Sequence, residues 1–124
     1  VPASDPVGEG TYNAAEFTPA LIKDGEKIED SFWTGEQPRA CFGTGDQGVY
    51  MLIIEGRYPD EGIRGTSVNT CSDILLAYGC RNALNMDGGS SAILWYDGEY
   101  VTQSSSSFLR YTGGRPLPNA WVYG

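Results

Sequence analysis

Glycine and proline recur so often in this chain that no regular element can run far before a turn interrupts it. Seventeen glycines and seven prolines are spread over 124 residues. Both break helices, and glycine opens the positive-φ conformations of tight turns. The pattern favours short strands joined by hairpins over a helical bundle. Length sets a second bound, since 124 residues suffice for one hydrophobic core but not two. Hydrophobic residues at 40% and aromatics at 12% can build that core, which excludes a disordered or fibrous polymer. No apolar run approaches the ~18 residues needed to span a bilayer. The start, Val1-Pro2-Ala3-Ser4-Asp5, has no basic-then-apolar segment and reads as a processed or clipped end rather than a signal peptide.

Residues 1–16 are polar and read as an irregular lead-in. Asp24-Gly25, between Ala20-Leu21-Ile22-Lys23 and Glu26-Lys27-Ile28, is a type I′ hairpin signal. Residues 30–38 are expected to form a loop, with a strand after it from Arg39 to Gly43. Val49-Tyr50-Met51-Leu52-Ile53-Ile54 is the most apolar run and is expected to be a central strand. Thr66 or Ser67 can cap a helix over about 67–78, whose apolar face is Val68, Cys71, Ile74, Leu75 and Tyr78, with Gly79 as the left-handed stop. A short strand then runs to Asp87. A second hairpin turns at Asp97-Gly98, Ser104 to Ser107 reads as a flexible polar linker, and Asn119 to Tyr123 reads as a closing strand. The fold class is therefore α+β, one domain with a mixed, mostly antiparallel sheet and one principal helix.

Several function classes fall away. The net charge is −8; residues 1–36 hold eight acids against Lys23 and Lys27, and residues 37–124 hold eight acids against six arginines. A basic nucleic-acid face is excluded by that balance. Six arginines without a lysine suit forked recognition of phosphate or carboxylate, although ordinary surface ion pairs explain part of them. Histidine is absent, so a Ser-His-Asp or Cys-His system and His-bearing zinc sites are ruled out. Acid–base work must fall to carboxylates, Tyr or Lys. Cys41, Cys71 and Cys80 match no metal spacing. They read as buried thiols, with a Cys71–Cys80 disulfide as the alternative. Gly43-Thr44-Gly45-Asp46-Gln47-Gly48 has the letters of a dinucleotide fingerprint. It leads into the strand pattern of Val49 to Ile54, however, and not into the helix that would meet a pyrophosphate.

The segment that carries chemistry is Asn85-Met86-Asp87-Gly88-Gly89-Ser90-Ser91, a strand ending in a carboxylate and two glycines. The glycines let a ligand approach the main chain, and the serines offer hydroxyls and amides to an anion. The bland alternative is a structural Asx-turn. Glu55-Gly56-Arg57 places an acid and an Arg after the most apolar strand. Gly113-Gly114-Arg115-Pro116 holds an Arg in a proline-fixed loop, and Arg39 opens its own strand.

These residues resemble the phosphodiester glycosidase family, typified by N-acetylglucosamine-1-phosphodiester α-N-acetylglucosaminidase and including bacterial exopolysaccharide-associated members. Five segments match in the family's order: Thr18-Pro19-Ala20-Leu21-Ile22-Lys23-Asp24-Gly25, Pro38-Arg39-Ala40, Glu55-Gly56-Arg57, Ala83 through Ser91, and Arg115-Pro116-Leu117-Pro118-Asn119-Ala120. Thr18 stands where the family has Gly, and Glu55 where it has Asp. The family's domain normally has more sequence before the first hairpin, so the chain is expected to be the C-terminal part of such a domain, with an N-terminal piece as a partner.

The resemblance implies hydrolysis of a glycan or sugar-phosphate substrate, a sugar-1-phosphodiester, and a secreted or extracytoplasmic setting. Two carboxylates commonly flank an oxocarbenium-like transition state in glycoside cleavage. Asp87 is the expected nucleophile or base, and Glu55 its partner or a sugar-hydroxyl ligand. Arg39, Arg57 and Arg115 are expected to hold the phosphodiester. Gly88, Gly89, Ser90, Ser91 and Asn119 are expected to line the site. No cofactor is required; a divalent cation on Asp87 is compatible, but no spacing demands one. The alternative is a non-catalytic carbohydrate- or cell-wall-binding module. Trp33, Trp95, Trp121 and the tyrosines would then stack on sugars, where otherwise they fill core faces.

Overall fold

The computed structural model describes residue 10, residues 13–106 and residues 114–124. Most of the lead-in, Ser107, Arg110 and Gly113 lie outside them. The elements run β1 (Ala20–Lys23), β2 (Glu26–Lys27), β3 (Arg39–Gly45), β4 (Gly48–Ile54), α1 (Val68–Ala77), β5 (Cys80–Asn85), β6 (Trp95–Tyr96) and β7 (Glu99–Tyr100). The first five strands form one sheet in the order β2-β1-β5-β3-β4, and β6 and β7 form a separate ribbon. Every pairing is antiparallel, so the fold is α+β with one principal helix.

Turn chemistry sets the registers. Asp24 and Gly25 both take positive φ (52° and 84°), as do Asp97 and Gly98 (47° and 86°), the type I′ geometry whose twist matches the flanking strands. Asp46 and Gln47 form a two-residue loop between the paired Gly45 and Gly48. The fingerprint-like glycines are thus hairpin residues. Gly43 and Gly45 lack side chains because Cys80 Sγ and the Gly79 carbonyl of the neighbouring segment press against them.

Ser67 caps α1 by accepting the Thr70 amide at 3.2 Å, and Gly79, at φ 88°, ends it. The helix buries Val68, Cys71, Ser72 and Leu75 against Leu21, Ile22, Cys41, Cys80 and Ala83 of the sheet. Each fully buried aliphatic side chain contributes roughly 1.5–3 kcal/mol. Tyr78 departs from the expected apolar face. It lies past the last helical turn, is exposed, and contributes its carbonyl to the Tyr50 hydroxyl at 2.9 Å. Asp30 and Asn69 exchange two hydrogen bonds of 3.0 and 2.9 Å, which fasten the loop before β3 to the helix.

Three other expectations are corrected. β4 is an edge strand, not a central one. It is apolar on both faces: Tyr50, Leu52 and Ile54 pack on the core, while Val49, Met51 and Ile53 line a cavity on the opposite side. Asn119 to Tyr123 form no strand. They lie across that second face, where Trp121 stacks on Phe42 with ring centroids 4.4 Å apart and planes 17° from parallel. Ser104 is fully buried rather than a linker residue. Its carbonyl accepts the Tyr58 hydroxyl at 2.7 Å and its Oγ accepts the Ser106 amide at 3.2 Å.

Candidate active site

The site forms where β3 begins and its two neighbours end. Because the sheet is antiparallel, β5 delivers Asp87 to one side of Pro38-Arg39 and β4 delivers Glu55 to the other. Two strand spacings separate those backbones, about 10 Å. Both flanking motifs carry a glycine at the closest approach. A Cβ on Gly88 would lie 2.6 Å from the Pro38 carbonyl oxygen, and one on Gly56 would lie 2.9 Å from Pro38 N. No other residue type fits either position without moving backbone. The spacing of Glu55-Gly56-Arg57 and Asp87-Gly88-Gly89 around one proline is thus a packing requirement as well as a chemical one.

β5 stays tied to β3 beyond its last residue. The Met86 amide donates to Ala40 O at 2.8 Å and the Gly89 amide to Pro38 O at 3.0 Å. Asp87 and Gly88 bow out between these two anchors. Next comes a 3-10 turn over Gly89–Ser91, in which the Ser91 amide donates to Gly88 O at 3.0 Å. Ser91 is thereby buried and fixed, while Asp87 stays exposed.

Arg115 closes the other side. Gly114, at φ 102°, lets the chain press against Ile93 and Ser104, and Pro116 then limits the loop. Arg115 Nη2 lies 3.3 Å from Asp87 Oδ2 and donates to Ser91 Oγ. One guanidinium thus bridges the carboxylate and the hydroxyl. Arg57 approaches from β4. Its backbone takes φ 67°, unusual for a residue with a side chain. Its Nε donates to Gln37 Oε1 at 2.9 Å, and its guanidinium stands beside Gly89, where a Cβ would meet Nη2 at 3.2 Å.

Two sequence candidates are placed differently. Arg39 is buried, and its guanidinium donates to the carbonyls of Thr66 (2.9 Å), Gly35 (2.8 Å) and Trp33 (3.4 Å). It clamps the loop before β3 rather than facing the cluster. Glu55 Oε1 accepts the Gln103 amide at 2.6 Å and so holds the segment after β7. Among the described residues, no group of three or more His, Cys, Asp or Glu is placed to hold a metal.

Asp87, Ser91, Arg115 and Asn119 line one end of a cavity of about 1080 Å³. Its floor is the second apolar face of β3 and β4. Its walls are the β6–β7 ribbon and residues 116–123. No motif marks this floor, yet a signal exists: alternate residues of β4 are apolar on the face opposite the one packed on the core.

The thiols take no part in the cluster. Cys41, Cys71 and Cys80 are free and buried. Cys41 and Cys71 share a hydrogen bond, which together with burial raises the Cys41 thiol above its ordinary range; the same hydrogen bond lowers that of Cys71. Burial raises Cys80.

Comparison with known proteins agrees with this architecture. No curated protein matches the chain. A solved structure described as a hypothetical protein from Synechocystis is similar at 27% identity with a TM-score of 0.58. The match covers 71% of this chain and 18% of that one, so this chain spans about a fifth of that structure's length. The phosphodiester glycosidase family model matches residues 2–123, and the chain therefore belongs to the phosphodiester glycosidase family.

Proposed function

We propose that this chain carries the hydrolytic site for a sugar-1-phosphodiester. The observation that carries the reading is the Arg115 guanidinium bridging Asp87 and Ser91 at the polar end of a large cavity. A planar guanidinium at a cavity mouth suits the non-bridging oxygens of a phosphodiester, which can accept two parallel N–H bonds. In a protein of net charge −8, such neutralisation must be local.

In the proposed reaction the bond from the anomeric carbon to the phosphate oxygen breaks, and the phosphate leaves as a monoester. Water supplies the new hydroxyl. Asp87 is the reacting carboxylate, attacking the anomeric carbon or taking the proton from water. Phosphate leaves readily, so little general-acid assistance is needed. Arg115 and Arg57 offset the phosphate charge, and Ser90 and Ser91 contact phosphate or sugar. The Gly89 amide already donates to Pro38, so the two glycines serve close approach more than anion binding. Glu55, across β3 from Asp87, is the second carboxylate of the proposal; its Oε1 holds the segment after β7 through the Gln103 amide, which leaves Oε2 for a sugar hydroxyl. Arg39 positions the loop before β3. The same proposal places the protein outside the cytoplasm.

The test is incubation with an N-acetylglucosamine-1-phosphodiester, with free sugar and phosphomonoester measured in parallel. Equal release of both is expected. Glycan binding without release would favour the alternative, a carbohydrate-binding module, for which the aromatic cavity wall is the supporting observation.

A further inference from the structure

The three cysteines are not equivalent in the fold, and the hydrolytic reading uses none of them. Cys41 lies on the core-facing side of β3, on the same side as the buried Arg39 two residues before it. Cys71 lies on the face of α1 that packs on the sheet, between the buried Val68 and Leu75. The two thiols meet across that helix–sheet contact in a hydrogen bond, with Cys41 donating and the Cys71 sulfur accepting. The Arg39 guanidinium places a positive charge near both sulfurs. Cys80 is turned elsewhere. Its Sγ fills the space over Gly43 and hydrogen-bonds to the carbonyls of Thr44 (3.3 Å) and Asn82 (3.2 Å).

From this arrangement we infer that Cys41 and Cys71 form an oxidative modification site, a thiol pair that hydrogen peroxide converts into a disulfide joining β3 to α1. Hydrogen-bonded thiols already point at each other, the condition that a ~2.05 Å S–S bond sets on its two side chains. Nearness in the chain would pair Cys71 with Cys80 instead, but the fold does not bring those two sulfurs into a hydrogen bond. The attacking form is the thiolate, and the hydrogen bond from Cys41, with the Arg39 charge, holds the Cys71 thiol below its ordinary range. The Cys71 thiolate attacks one peroxide oxygen and the O–O bond breaks, leaving a sulfenic acid on Cys71 and hydroxide, which takes up the Cys71 proton as water. The Cys41 sulfur then attacks the Cys71 sulfur. The S–O bond breaks, and the hydroxyl leaves with the Cys41 proton as a second water. Two thiols are thus oxidised and one peroxide is reduced to two waters. Both sulfurs are buried, which selects an oxidant near water in size over a bulky disulfide. The bond would persist in the extracytoplasmic setting proposed above, but its formation does not depend on the hydrolytic reading. It would close the chain from β3 through β4 and Glu55-Gly56-Arg57 to α1 into a ring, tying one flank of the candidate site to the core.

The test treats the folded chain with hydrogen peroxide and maps its peptides by mass spectrometry without reduction. A Cys41–Cys71 linkage is expected, with free thiols falling from three to one and Cys80 left reduced. Cys80→Ser is expected to cross-link as the wild type does, and Cys41→Ser to form no linkage. If Cys41→Ser fails to fold, the wild type and Cys80→Ser still decide the pairing. Thermal melts of the oxidised chain are expected to show Tm raised by at least ~5 °C, an increase that dithiothreitol reverses. Survival of all three thiols until denaturant is added would overturn the inference. So would a linkage that includes Cys80 or joins two chains, or conversion of Cys71 to a sulfinic acid without a cross-link. An unchanged Tm in the cross-linked chain would overturn the bracing of the site's flank.

Discussion

At the scale of single residues, function depends on which side chains are free to act and which are committed to the scaffold. Arg115 reaches Asp87 and Ser91 with one nitrogen, which leaves the rest of its planar fork for a ligand. Arg115→Lys keeps the charge but not the fork, and is expected to lower kcat/KM on a sugar-1-phosphodiester by about 10²-fold, the scale of one lost transition-state donor. Unchanged kinetics would remove Arg115 from the mechanism. Glu55→Gln retains an oxygen for the Gln103 amide and is expected to cost less than substitution at Asp87. The thiols give a pH prediction. Cys41 and Cys80 are raised in the fold relative to an ordinary thiol, so the unfolded chain releases these protons first. Their contribution is present below pH ~9 and is lost as pH rises above it, with the lowered Cys71 opposing in part. Thermal melts should show Tm constant near neutrality and falling above pH ~9, and a rising Tm there would contradict the assignment.

At the scale of elements, glycines set the geometry. Gly88→Ala would place a methyl 2.6 Å from the Pro38 carbonyl oxygen, forcing apart the end of β5 and the start of β3. A loss of about 1–3 kcal/mol is expected, read as a clear drop in Tm with loss of activity. Gly35→Ala, which has open space around it, is the control. These elements are legible in the sequence where the cause is local. Asp-Gly pairs announce I′ turns, and Ser67 ahead of apolar residues at helical spacing announces α1 with Gly79 as its stop. The site motif is legible for the same reason, as a strand end with glycines. The illegible parts depend on distant partners. β4 reads as central because both its faces are apolar, yet the second face belongs to a cavity. Asn119 to Tyr123 carry strand-like residues but cover that face instead of pairing. Arg39 has the same letter code as Arg115, and only the carbonyls of Gly35 and Thr66 around it show that it clamps a loop.

At the scale of the whole molecule, a strongly acidic chain is proposed to bind an anion. Long-range repulsion from the net charge of −8 is screened once the Debye length falls to ~10 Å near 0.1 M salt, whereas close contacts inside a cavity are screened much less. KM for a phosphodiester substrate is therefore expected to fall as ionic strength rises from about 10 to 100 mM. A rise over that range would mean that long-range attraction, not local arginines, captures the substrate. The chain spans about a fifth of the length of the larger solved structure it matches, so the central claim is tested on this chain by itself. The most direct measurement is kcat/KM for sugar release from an N-acetylglucosamine-1-phosphodiester by the wild-type chain and by Asp87→Asn, a substitution that keeps the shape and removes the charge. The predicted result is a fall of about 10³-fold or more with the fold intact; activity within a few-fold of wild type would contradict the assignment of Asp87 as the reacting carboxylate.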